Sequence, residues 1–131
     1  MNITFSRRLA LFLGVVLPVA ETFRRWGTGG FLPWWLDDYL IAAFLLYSVW
    51  RSREGTADGL RYLAAAWAFA CGMGYMSFFG HLERIEQPDP APIPHVWVTV
   101  IIGIGWLLTI FGLVASLRVH ASEESERRRA Q

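Results

Sequence analysis

"VWVTVIIGIGWLLTIFGLVASL", Val96 to Leu117, carries no charged residue from end to end. A helix rises 1.5 Å per residue, so crossing a hydrocarbon core takes ~20 largely apolar residues. This stretch meets that length unaided, and so does the uncharged run 62–80 before it. Two further apolar stretches, 9–23 and 31–50, lie upstream across short polar connections. The chain as a whole agrees: of 131 residues 54% are hydrophobic, 15% aromatic and only 18% charged, with a mean hydropathy of +0.34, well away from a soluble domain. The sequence therefore predicts an all-α integral membrane protein, four transmembrane helices in a compact up-down bundle. The expected helices are at about 5–25, 32–52, 59–81 and 95–118, forming a single domain over 1–120. The polar, mixed-charge remainder, 121–131, reads as a charged cytoplasmic tail, frayed or disordered.

Helices 1 and 2 are less apolar than the other two. "WWLDDYL", Trp34 to Leu40, puts two adjacent carboxylates where helix 2 begins, and the uncharged run from Tyr39 to Trp50 is too short to cross. To reach spanning length, helix 2 must draw in Asp37 and Asp38, which places them at the headgroup boundary in the first turn. Helix 1 falls short in the same way, its clean run ending at Ala20 before Glu21. "SRRLALFLGVVLPVA", Ser6 to Ala20, has the outline of a signal peptide, but Pro18 spoils the cleavage site, so helix 1 is expected to be retained.

Basic residues in short flanks orient membrane helices. Nine of the twelve (Arg7, Arg8, Arg51, Arg53, Arg61, Arg118 and Arg127 to Arg129) flank one set of helix ends, against Arg24, Arg25 and Arg84 on the other. The expected topology is a multi-pass protein of the cell membrane, of bacterial inner-membrane type, with N- and C-termini inside. Trp34 and Trp35 open helix 2 and Trp50 closes it, a belt spacing of ~24 Å. Pro94 and Trp97 repeat that opening in helix 4, a faint duplication of the two hairpins, and "EQPDPAPIP", Glu86 to Pro94, reads as a stiff outer loop. Small residues at Ala66, Ala70 and Gly74, and at Gly112 and Ser116, are spaced to let helices approach closely.

With this topology Glu21, Arg24, Arg25, Asp37, Asp38, His81, Glu83 and His95 come to the outer face from all four helices. It is the chemically loaded constellation of the chain. Glu21 stands three and four residues before Arg24 and Arg25, the spacing at which side chains on one helix meet. Arg-carboxylate pairs that anchor helix ends are the first expectation, because charges near the membrane boundary pair or snorkel. Two sharper readings stand beside it. His81 and His95 with the carboxylates offer a nitrogen and oxygen donor set for a metal, though no ligand pair at helical spacing is present and nearby arginines oppose a cation. A carboxylate in a partly dry site is alternatively a proton carrier for transport. No metal or cofactor is predicted. The single cysteine, Cys71, supports neither an intramolecular disulfide nor a thiolate metal centre.

Chain length, the four expected spans and "SFFGHLER", Ser77 to Arg84, resemble the small multidrug resistance transporters. Those carry a membrane-embedded Glu inside helix 1. Here Glu21 is at the outer end beside two arginines and the hydrophilic tail is longer, so the chain departs from that family and is not assigned to it. The functional expectation is a small multi-pass protein, non-enzymatic, binding a lipid headgroup, small polar ligand or membrane partner. A small ion-coupled transporter acting as an oligomer, and a membrane enzyme or metalloprotein using His81 and His95, are the alternatives. Expected partners are the lipid bilayer and a homo-oligomer or membrane protein; a net charge of +1 without a basic, aromatic-rich patch offers nothing to nucleic acid.

Overall fold

A computed structural model describes residues 3–26, 33–53, 57–86 and 94–129, with the side chains of Arg25, Pro33 to Trp35, Ala57 and 120–129 outside the described residues. Four helices follow one another: α1 (Ile3–Arg25), α2 (Pro33–Ser52), α3 (Ala57–Glu83) and α4 (His95–Arg129). The protein is all-helical, and three of the four helices are long and apolar enough to cross a membrane: Ile3–Arg24, Asp58–Glu83 and His95–Val119. Among the described residues α2 is not one of them, so three of the four expected spans are supported.

Three local expectations are corrected. α1 does not fall short, because its helix begins at Ile3 and gives a 22-residue apolar span that tolerates Glu21 at its end. Asp37 and Asp38 are not in the first turn of α2, which has no acid in that turn. Pro33 opens the helix, where a missing N–H costs nothing, and this moves both aspartates into the second turn. α4 does not stop near Arg118 but runs to Arg129, since loss of apolarity is not loss of helicity. The sequence order of Glu123 with Arg127 and Glu124 with Arg128 is the i, i+4 arrangement that favours helix. The shared Pro-Trp loop pattern and most of Glu86 to Pro94 lie outside the described residues. Where α4 begins, the Pro94 carbonyl accepts from the backbone N–H groups of Trp97 and Val98.

Each helix packs on its sequence neighbours, and α1 closes the ring against α4. Neighbours run antiparallel: Thr22 late in α1 meets Tyr39 early in α2, Arg7 early in α1 meets Ser52 at the end of α2, and His81 meets His95 across the α3–α4 connection. The bundle thus has a histidine end, holding Glu21, Asp37, His81 and His95, and an arginine end, holding Arg7, Arg51, Arg61 and Arg118.

The core follows helical spacing. Ala10 and Leu13 from α1, Ile41, Leu45 and Val49 from α2, and Leu63, Ala66, Trp67 and Ala70 from α3 form one buried cluster. Many large apolar side chains outside it face outward, among them Phe12, Val15, Leu40, Met76, Ile101 and Ile104. In water such a surface drives aggregation. For helices of this length and apolarity it is a surface suited to contact with lipid.

Trp67 is fully buried, and its indole Nε1 donates to Ser6 Oγ at 2.8 Å. Ser6 Oγ in turn donates to the Gly112 carbonyl at 3.2 Å, joining α3, α1 and α4. Gly112 is required there, since a Cβ would run into the Trp67 ring. Arg7 completes the set on α2, donating from Nε to Ser52 Oγ at 3.0 Å and from its other terminus to the Ser52 carbonyl. That carbonyl is one of those a helix leaves without an intrahelical partner at its C-terminus. The buried hydroxyls of Ser48, Ser52 and Ser116 donate back to carbonyls three residues earlier, at 2.7, 3.0 and 2.8 Å, so none of these three protons is stranded in the apolar interior.

Candidate functional site

At the histidine end the candidate residues sort into separate local groups. Glu21 is 6% exposed although charged, and both its oxygens are engaged by Arg24, Nε to Oε2 at 2.9 Å and Nη2 to Oε1 at 3.2 Å. The i, i+3 spacing lets a guanidinium fork meet a carboxylate on one helix face, a two-bond geometry stronger than a single contact. Arg24 keeps 22% exposure, so the pair is open to solvent or headgroups on one side. Arg25 lies in the same last turn, its side chain outside the described residues.

Next to this pair Thr22 and Tyr39 tie α1 to α2. Thr22 Oγ1 is 2.6 Å from both the Pro18 carbonyl and the Tyr39 hydroxyl. A carbonyl only accepts, so the Thr22 proton goes to Pro18 and Tyr39 donates to Thr22. Asp37 and Asp38 are half-buried, and Asp37 Oδ1 accepts the Asp38 backbone N–H at 2.9 Å.

The histidines converge on each other. Their rings stack with centroids 5.2 Å apart and planes 27° from parallel. His81 Nδ1 is 2.8 Å from the Ser77 carbonyl and His95 Nε2 is 3.1 Å from the His81 carbonyl. Because both partners are carbonyls, each of these nitrogens carries the proton. The stack therefore fastens the end of α3 to the start of α4, with Thr99 donating to the His95 carbonyl at 2.9 Å one turn on. Glu83 is exposed beyond it. Among the described residues no three of the His, Cys, Asp and Glu side chains gather as a metal would need.

Sequence reasoning foresaw the Glu21–Arg24 pair from its spacing. It missed Ser6, Arg7, Ser52 and Trp67, because a lone serine or tryptophan in an apolar run carries no periodic signal. Gly112 was visible as a small residue, without its partner. At the arginine end a cleft between α2 and α3, lined by Arg51, Asp58, Arg61, Tyr62 and Ala65, also went unread. Its arginines had served only to orient the chain.

Fold and site together define a class: an all-α protein, consistent with a membrane protein, with paired charge and stacked imidazoles at one end of its bundle. Comparison with protein-family models, curated proteins and solved structures finds no match to this chain.

Proposed function

We propose that the chain is a four-span protein of the cell membrane, both termini cytoplasmic, and that it serves as a non-enzymatic binding or accessory component. Its outer, histidine end presents Arg24, Asp37 and Asp38 to a lipid headgroup, small polar ligand or membrane partner. The observation that carries this reading is the two-bond hold of Arg24 on Glu21. A carboxylate whose two oxygens are both engaged by one guanidinium suits an anchor better than a proton carrier or general base. Four spans are supported by the place of α2 between α1 and α3, where Ile41, Leu45 and Val49 are buried and protein contacts supply what lipid partitioning does not. The excess of arginine at the other end supports the orientation.

Two measurements test this. A reporter fused after Ala91 is expected to be active outside the cytoplasm and one fused after Gly55 inactive; the reverse pattern overturns the orientation. Reconstituted in liposomes, the protein is expected to leave an imposed pH gradient intact. A gradient that collapses with the natural chain and persists with Glu21→Gln would make it a proton carrier instead.

A further inference from the structure

We propose that the membrane boundary at the histidine end lies about 10 Å lower along the α1–α2 flank than along α3 and α4, and that lipid headgroups descend into this step. The inference rests on α2 crossing the membrane. It narrows the occupant of that end to a headgroup.

The arginine end sets a common height. Gly59 opens α3 directly against α2, where a Cβ would lie 2.9 Å from Ser52 Cα. Arg7 reaches the same turn from α1 through Ser52, and Arg51 lies over the Tyr62 ring at 5.9 Å. Arg8, Arg51 and Arg61, which bound the uncharged runs of α1, α2 and α3, therefore stand level. Counted from that crossing at ~1.5 Å per residue, Asp38 is level with Met73 and Asp37 with Gly74. Phe44 meets Phe69 on the way, ring centroids 6.1 Å apart, within one turn of this register. The bond between Thr22 and Tyr39 brings Glu21 and Arg24 to the same height. Yet the uncharged run of α3 continues to Gly80, ~10 Å beyond Met73. Gly74 packs on Trp106, where a Cβ would lie 3.0 Å from Cδ1, and from Trp106 the run of α4 continues ~15 Å to Val96. One hairpin has become charged where the other is still apolar.

A flat boundary at the height of His81 and His95 would put Asp37, Asp38 and Arg24 about 10 Å deep in hydrocarbon. The protein does not seal them off, since both aspartates are half-buried and Arg24 keeps 22% exposure. Leu36 and Phe23, exposed at the same height, leave the flank open to the bilayer. Charge so placed is relieved when the bilayer thins locally and admits headgroups and water. The boundary aromatics follow the same step: Trp26 and Tyr39 are exposed beside the low charges, whereas Trp97 is exposed at the start of α4, beside the histidines.

The test is fluorescence quenching in phosphatidylcholine vesicles by a nitroxide carried on the lipid headgroup or on the middle of the acyl chain. Bimane is attached to the full chain in a Cys71→Ser background at Leu36→Cys, Met76→Cys or Ile104→Cys. These exposed positions share one height on α2, α3 and α4. Leu36→Cys is expected to be quenched mainly from the headgroup and the other two mainly from the chain, an apparent difference in depth of about 10 Å. At the arginine end Trp50→Cys and Arg61→Cys should read the same depth; an offset in the opposite sense there would mean a tilted bundle and overturns the step. Equal depth at the first three positions overturns it as well. Quenching of Leu36→Cys by neither nitroxide would mean that protein covers the flank, and overturns the headgroup as its occupant. Reporters after Gly29 and after Gly55 separate these failures from that of the four-span reading. If both are active on one side, α2 does not cross and the step falls with it; opposite sides with one uniform depth would sink the step alone.

Discussion

The two ends of the bundle are held by different chemistry. At the histidine end the described bonds join residues within a hairpin: Glu21 with Arg24, Thr22 with Tyr39, His81 with His95. Towards the arginine end Trp67 to Ser6 to Gly112 runs between hairpins, and with Arg7 to Ser52 inside the first hairpin it brings all four helices into one set. The first includes the buried Glu21–Arg24 ion pair, whereas the bonds from Trp67 through Ser6 to Gly112 carry no formal charge. The residues that most advertise themselves in a sequence are therefore not those that determine the packing. Charges at a membrane boundary find partners among near neighbours, whereas close helix contact needs an absent side chain and a hydrogen bond that stays indoors.

Trp67→Ala is the strongest way to break this contrast. It empties the core beside Gly112 and removes the donor to Ser6, with an expected loss of about 3–5 kcal/mol, read by denaturant titration in mixed micelles. A loss under about 1 kcal/mol would mean that the inter-hairpin set is ornamental. Glu21→Gln should cost less, about 1–2 kcal/mol, because Arg24 is left on a half-open boundary where water or headgroups replace part of the bond. If it cost as much as Trp67→Ala, the two ends would be equivalent. Asp37→Asn sharpens the contrast from the other side: asparagine still offers Oδ1 to the Asp38 N–H, and the second turn lies past the reach of the helix dipole. A change below about 0.5 kcal/mol in the same titration is expected.

Much of the fold was legible because hydrophobic length is a physical requirement. The uncharged runs at 62–80 and 96–117 located α3 and α4, and the deficit of α2 was visible in the position of Asp37. What length does not encode is where a helix continues in water, which is why the end of α4 was misplaced. Within the site, Glu21 with Arg24 could be read because both partners sit on one helix at fixed spacing. His81 and His95 face each other across a connection whose geometry the sequence does not contain, and their stacking on each other emerged only from the fold. Trp67 looked like any aromatic in a greasy helix.

α2 also has a consequence for biosynthesis. It emerges from the ribosome after α1 and before α3, and its uncharged run, Tyr39 to Trp50, is shorter than a hydrocarbon core. Ile41, Leu45 and Val49 share one buried cluster with Leu63, Ala66 and Trp67, residues that are made after them. Its final seat is thus a late event, reached when α3 arrives to cover it. Seating α2 and completing the core are, for that one helix, the same step.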